Sequence, residues 1–358
     1  MTKKKKHSKK DIQERKWNDH IRLRPGMYLG AINLTGFVNL LKGIFSASLS
    51  QLQADTIYFD FRNANEGEII IENITKPVID NWSKWNPNSK NIFIIEFQTL
   101  NALSLIFKIE LTDSEGEVKL KQEYENGELI TGDQAEAPVI CNRLQINFKL
   151  DKGIWGDRFN WLESFINYEI REFAYLYRGV KFKVSYEIDG EQCNTIYFFE
   201  NGLKDRIEVE KLKGLGGTYF DTYVNTGISD FNVELAFAFR DYSVDEPFLK
   251  SFVNDFYTHE NGSHIDGVLK GLTYGVMKYF QKYDLTEKYK ISEKGMRENL
   301  VAMLNIRMNE PIFSGCVKNK LANPEVIEPI ANYISGVLFD KIETDEKSTE
   351  KLIRKFKI

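Results

Sequence analysis

Between residues 36 and 53, apolar side chains recur at Phe37, Leu40, Leu41, Ile44, Phe45, Leu49 and Leu52. Steps of three and four residues put them on one face of a helix, and the spacing predicts a helix there. The period then changes. "TIYFDF" (56–61) alternates as a strand does, and "GEIIIEN" (67–73) follows the turn-rich "RNANEG" as a second strand. Residues 77–90, "PVIDNWSKWNPNSK", hold two prolines and two tryptophans and predict an irregular loop. Four strands are expected after it: "NIFIIEF" (91–97), "LSLIFKIEL" (103–111), "EVKLKQEY" (117–124) and "RLQINFKL" (143–150). "RFNWLESFINYEIREFAYLY" (158–177) predicts a long helix, and "GVKFKVSYEI" (179–188) a strand behind it. The sum is a mostly antiparallel sheet with helices on one face.

A second block begins near residue 212. Strands "GTYFDTYV", "FNVELAFAF" and "FLKSFVNDFY" precede a helix expected from about Ser263 to Lys282. Strand "ENLVAMLNIRM", loop "NEPIFSGCVKNK" and a closing helix from about Pro324 complete it. The strand–helix–strand order allows a right-handed crossover. No internal repeat is evident.

Size and composition narrow the classes. At 358 residues the chain exceeds the roughly 100–200 of one domain, so two are expected. A hydrophobic share of 42%, with 25 Phe and 17 Tyr, is enough for real cores. A net charge of −4 excludes a general DNA-coating protein, so any contact with phosphates has to be local. The start "TKKKKHSKK" offers one such place, although a solvated terminus is the plainer account of it. No apolar run approaches the roughly 18 residues of a membrane span, and no signal-peptide core precedes the first helix, so a cytoplasmic protein is expected. Cys141, Cys193 and Cys316 are isolated and the four histidines scattered, which gives neither a disulfide framework nor a zinc spacing.

"IRLRPGMYLG" (21–30) resembles the segment that opens the ATPase domain of type IIA topoisomerase B subunits, DNA gyrase B and topoisomerase IV. The resemblance returns, in the family's order, at "YEIREFAYLYRGVKF", "FFENGLK", "SFVNDFYTHENGSHIDG" and "MRENLVAMLNIRMNEPIFSGCVKNKL". It implies an α+β fold: a GHKL-type ATPase α/β sandwich over 19–211, then a ribosomal-S5-like transducer domain over 212–358 with a C-terminal helix. A basic arm, 1–18, would precede them. In the family two chains close over DNA when ATP binds. The implied partners are therefore a second copy, a type IIA topoisomerase subunit and DNA, and the implied cofactors ATP and Mg²⁺. The family's TOPRIM metal-binding domain is not expected within these residues, so strand cutting is not expected of them alone.

The residues for ATP chemistry depart from that pattern. Hydrolysis needs a carboxylate to deprotonate water and an oxygen ligand to hold Mg²⁺ across the phosphates. The resemblance places them as a Glu and, four residues later, an Asn on the first long helix, where this chain has Gly43 and Ala47. Residues 36–54 contain no Asp or Glu at all. Asn39 is a candidate displaced magnesium ligand, with a surface position the plainer reading. For the family's adenine-reading Asp, Glu72 stands one methylene longer, and the glycine turn after it becomes Ile74, Thr75 and Lys76. The glycine-rich phosphate lid is replaced by the glycine-free 78–99. "KGLGGTYF" reads as a strand-entry turn. Lys318 keeps the place of the lysine that reaches the γ-phosphate, in the family's Gln-Thr-Lys now Cys316-Val317-Lys318; Cys316 reads as structural.

The leading expectation is a pseudo-ATPase with no cofactor, a clamp that binds DNA or a subunit. The first alternative is a working ATP-dependent topoisomerase subunit whose missing acid comes from elsewhere, for instance Glu72 or a partner chain. The second is a module for another ligand near Trp82 and Trp85, for which local packing anchors are the plainer reading.

Overall fold

The structure, a computed structural model, describes residues 16–78, 92–132, 138–188, 191–213, 216–241, 247–315 and 318–357. The lysine-rich start, Trp82, Trp85, Cys316 and Val317 lie outside these residues. The chain divides into two compact units, Met1–Arg171 with Val180–Phe198, and Glu172–Gly179 with Phe199–Ile358. The fold is α+β, as the periodicities predict.

The first unit runs α1 (Trp17–Leu23), α2 (Gly26–Leu29), α3 (Leu34–Gln51), β1 (Thr56–Arg62), β2 (Glu66–Glu72), α4 (Ile92–Ala102), β3 (Ser104–Thr112) and β4 (Val118–Glu125). It continues through β5 (Glu128–Thr131), β6 (Arg143–Leu150), α5 (Lys152–Trp155), α6 (Glu163–Ala174), β7 (Lys181–Ile188) and β8 (Glu191–Phe198). The eight strands form one sheet in the order β5-β4-β3-β6-β2-β1-β7-β8, with β1 and β7 its parallel pair. The helix that the sequence places over 36–53 is α3. Asn33 caps it, its side chain accepting from the Gly36 N–H at 3.1 Å. Phe37 then lies 5.8 Å from Phe148 and 4.9 Å from Trp161, ring centre to ring centre, and Phe45 lies 6.1 Å from Phe182. Each such fully buried side chain contributes about 1.5–3 kcal/mol through the area it removes from water.

Two elements of the first unit differ from expectation. "NIFIIEF" is not a strand but the opening of helix α4, which packs on α3. A short apolar run of this kind suits a buried helix as well as a buried strand, and periodicity cannot separate them. The long helix expected over 158–177 is confined to Glu163–Ala174, because Trp161 is drawn into the aromatic cluster around Phe37 and donates its indole N–H to the Arg62 carbonyl.

The second unit contains α7 (Leu203–Leu212), β9 (Thr218–Ile228), β10 (Phe231–Arg240), β11 (Phe248–Val253), β12 (Phe256–Tyr257), α8 (Ser263–Lys282), α9 (Glu293–Arg297), β13 (Leu300–Met308), α10 (Ile327–Thr344) and α11 (Glu346–Ile353). Its sheet has the order β12-β11-β13-β10-β9. β11 and β13 are parallel, so the chain between them crosses over through α8, the expected strand–helix–strand unit. The expected strand over 248–257 is a tight hairpin instead: Asn254 and Asp255 both take positive φ, 48° and 68°, which joins β11 to β12 in two residues. β10 and β13 are buried almost throughout, as expected of strands covered on both faces. α8 lies against α10 along Gly267, Gly271 and Gly275; an ideal Cβ on Gly271 would sit 2.7 Å from the Ala331 carbonyl oxygen and 2.8 Å from the Ile334 Cβ. Glycine is therefore what lets the two backbones approach.

At the start of α8, His264 is buried and its Nε2 meets the Thr258 hydroxyl at 3.1 Å, while Nδ1 has no partner among the described residues. Burial pushes its pKa down to about 3 from 6.5. The unfolded chain then binds a proton below pH 6.5 that the folded chain refuses, so stability is lost as pH falls from 6.5 toward 3. At pH 5 the expected loss from this group is about 2 kcal/mol. Urea denaturation at pH 7 and pH 5 checks it: the wild-type drop exceeds that of His264→Gln by about that amount.

Candidate functional site

Helix α3 carries the two positions that matter most. Gly43 and Ala47 are both buried and lie one turn apart on the same face. Neither supplies a side-chain oxygen. The Glu96 side chain of α4 lies over Gly43: an ideal Cβ at Gly43 would lie 2.8 Å from Cδ and 2.9 Å from Oε1 of Glu96. A larger residue at 43 would require the flexible end of the Glu96 side chain to shift. Glu96 is half-buried and is the single charged residue in 91–107. Asn39 is exposed, in keeping with the surface reading. Elsewhere on α3, Lys42 is ion-paired with Glu169 of α6.

Glu72 ends β2. The sheet register sets it opposite Arg143 of β6, and the two form a loose charge pair at 3.8 Å. The turn beyond it is tied to the end of α3: the N–H groups of Thr75 and Lys76 both donate to the Leu52 carbonyl, at 3.1 and 3.2 Å, and Ile74 N–H donates to Asn142 O at 3.0 Å. These amides are committed to the backbone rather than offered to a ligand. Lys318 belongs to the second unit. It is exposed, has φ 57°, and holds its amine 3.9 Å from the centre of the Phe256 ring, a cation–π contact within its own unit. Gly216 and Gly217 immediately precede β9.

A cavity of about 480 Å³ opens between α1 and the β4–β5 turn, lined by Asn18, Asp19, Arg22, Glu125, Asn126 and Glu128. It includes none of Gly43, Ala47, Glu72 or Glu96. Among the described residues no group of three or more His, Cys, Asp or Glu side chains could hold a metal ion, and no helix is long and apolar enough to cross a membrane.

The segments that make up both units, in their order, match known proteins along most of the chain. A family model described as DNA gyrase B matches residues 196–358. The DNA gyrase B protein of Spiroplasma citri is 25% identical over 98% of this chain, and that of Eisenibacter elegans 28% identical over 72%. The chain is gyrase B-like. It spans 59% and 54% of the length of those two gyrase B proteins. In structure it is similar to the 43K ATPase domain of Thermus thermophilus gyrase B, solved in complex with an aminocoumarin (TM-score 0.76, 19% identity, 96% of this chain and 95% of that one). It is similar also to the topoisomerase IV ATP binding domain of Francisella tularensis (TM-score 0.72, 20% identity, 94% and 95%). These likenesses show the gyrase B ATPase–transducer fold in this chain.

Against the gyrase B pattern the residues of this chain do not fit Mg²⁺ or a catalytic base on α3. The side chains at Gly43 and Ala47 have no donor atoms, and the acid that reaches Gly43, Glu96, comes from another helix. Glu96 escapes a reading of the sequence because it lies in a segment that reads as strand. Its one signal is a lone charge inside an apolar run.

Proposed function

We propose that this gyrase B-like ATPase–transducer module is a pseudo-ATPase, and that it acts by binding, as a clamp on DNA or on a type IIA topoisomerase subunit. The observation that carries this reading is the surface of α3 at Gly43 and Ala47, where the family's acid and magnesium ligand would stand. α3 itself offers no side-chain oxygen at either position, and the carboxylate beside Gly43 is that of Glu96, from α4. A general base alone is worth about 10²–10⁴ in rate, and here the magnesium ligand goes with it.

The partners follow from the relatives. A second copy, an active B-type subunit and DNA are the candidates. Local charge has to supply any grip on phosphates, given the net charge of −4. ATP hydrolysis, followed by phosphate release with and without linear DNA, tests the reading. Turnover no higher than that of a heat-denatured control is expected. DNA-stimulated turnover would establish the alternative, a working topoisomerase ATPase with its acid drawn from elsewhere.

A further inference from the structure

In the second unit a short 3₁₀ turn, Arg354–Phe356, follows α11 and buries Phe356, whose ring centre is 6.5 Å from that of Phe280. The Phe356 carbonyl accepts from the Lys290 N–H at 2.8 Å, and Tyr289 bridges Lys357 in an antiparallel pair. Lys355, held between these contacts, is half-buried. Its amine lies 5.2 Å from the ring centre of Phe239 and 5.7 Å from that of Tyr219, and it donates to the Glu298 carbonyl at 3.1 Å. It forms no ion pair among the described residues. The two carboxylates that act on it, Glu298 and Asp241, do so from a distance, and Asp241 is paired with Lys351 at 2.5 Å. An ammonium so placed gives up hydration and gains no anion in contact. Burial therefore brings its pKa down to about 8 from 10.5, against the upward pull of Glu298 and Asp241. Near neutral pH the share of free, nucleophilic amine exceeds that of an ordinary surface lysine by on the order of 10²-fold.

The backbone gathers cations around that amine. Arg354 and Lys357 flank it in sequence, Lys290 is tied to Phe356 by the hydrogen bond above, and Arg297 adjoins the Glu298 carbonyl. All four are exposed, and Lys290, Arg297 and Lys357 form no ion pair among the described residues. Against them stand Glu298 and Glu350, the latter 3.4 Å from Arg354. Such a surface, in a chain of net charge −4, raises the local concentration of small anions. We infer that Lys355 is an acylation site for anionic acyl donors, acyl phosphates by class. The free amine attacks the acyl carbonyl, and a C–N bond forms as the bond from that carbon to the phosphate oxygen breaks. Phosphate leaves with the bonding pair, and the nitrogen gives up a proton to solvent. The product amide keeps one N–H for the Glu298 carbonyl and no longer places a charge over the two rings. The inference is independent of the pseudo-ATPase reading, since it uses no residue of α3.

Pulse labelling of the full chain with acetyl phosphate, read lysine by lysine by mass spectrometry, tests this. Lys347, exposed on α11 and also without an ion pair among the described residues, is the internal control. At neutral pH Lys355 is expected to be acetylated at least about fivefold faster than Lys347. Its rate is expected to level off above pH 8 while that of Lys347 climbs toward pH 10. A double variant, Arg297→Gln with Lys357→Gln, changes two exposed side chains and leaves the contacts of the Lys355 amine in place. It is expected to keep the wild-type Tm and to slow the acetyl phosphate reaction at Lys355 by about threefold. Its reaction with N-acetylimidazole, an uncharged donor, is expected to stay as in wild type. Equal rates at Lys355 and Lys347 overturn the proposal, as does a Lys355 rate that keeps climbing with that of Lys347. An undiminished acetyl phosphate rate in the double variant overturns the assignment to anionic donors.

Discussion

Replacing Arg206 by methionine is expected to lower the stability of the chain by about 1–3 kcal/mol, the cost of leaving two buried carboxylates short of one of their cations. Arg206, on α7, lies between Glu172 and Glu210: Nε donates to Glu172 at 3.1 and 3.2 Å, and Nη1 to Glu210 at 2.5 Å. Its side chain and both carboxylates are more than nine-tenths buried. Lys250 reaches Glu172 at 2.6 Å, while Lys213 and Arg240 reach Glu210 at 2.6 and 3.3 Å. Charge from α6, α7, β10 and β11 thus meets in one cluster. The guanidinium of Arg206 also covers the Phe248 ring at 4.5 Å. Burial works against charge on Arg206 and on Glu210, but their neighbours outweigh it: the arginine is held further up than usual, and the Glu210 carboxyl is held below its ordinary range. Urea denaturation at pH 7 gives the number. Arg206→Lys keeps the charge without the fork and is expected to lose less. A loss below about 1 kcal/mol for Arg206→Met, the range of an exposed ion pair, would contradict this view of the cluster.

The second large effect is expected at Gly271. Leucine there should cost about 3 kcal/mol, because a side chain would be driven into the Ala331 backbone and the Ile334 side chain of α10. The same crowding faces Gly267, 2.9 Å from the Ile327 carbonyl oxygen, and Gly275, 3.0 Å from that of Ser335. Helix propensity pulls the other way by up to about 1 kcal/mol, so a net loss shows that packing has won. At Gly336, on α10, an added Cβ meets nothing within 4 Å, so Gly336→Ala gains stability by the same propensity. Thermal unfolding of the two variants side by side separates close approach from glycine in general. Equal and favourable shifts at both positions would remove the close-packed seam.

How much of this fold can be read from the sequence depends on the range of each interaction. Elements with one wet and one buried side were legible: α3 from Phe37, Leu40, Leu41 and Ile44, and β1 from its alternation, because the 3.6 and 2.0 periods leave their mark in neighbouring residues. α4 was not. "NIFIIEF" is apolar on every side, and what makes it helical is the space beside α3, which no local pattern encodes. β8, with its half-exposed alternation, and α7, with little apolar asymmetry, were hidden for the opposite reason, a weak pattern. At the candidate site the proposed loss of chemistry rests on the resemblance, which sets Gly43 and Ala47 where the family has its acid and its amide. What stands in front of them could not be read from the sequence. Glu96 meets Gly43 across a helix pair, Glu72 meets Arg143 through sheet register, and the Lys318 amine finds Phe256 through a turn, each from a distant part of the chain. The Arg206 cluster is the same case, drawn from four elements that share no sequence motif.

We propose that in this chain a gyrase B-like fold stands apart from nucleotide binding, and titration calorimetry of the wild-type protein with a non-hydrolysable ATP analogue and Mg²⁺ is the decisive test of that separation. No measurable heat of binding is expected up to millimolar nucleotide. Saturable binding at the micromolar level, about −8 kcal/mol, would contradict it, and would mean that this chain accepts a nucleotide without an acid or amide at Gly43 and Ala47.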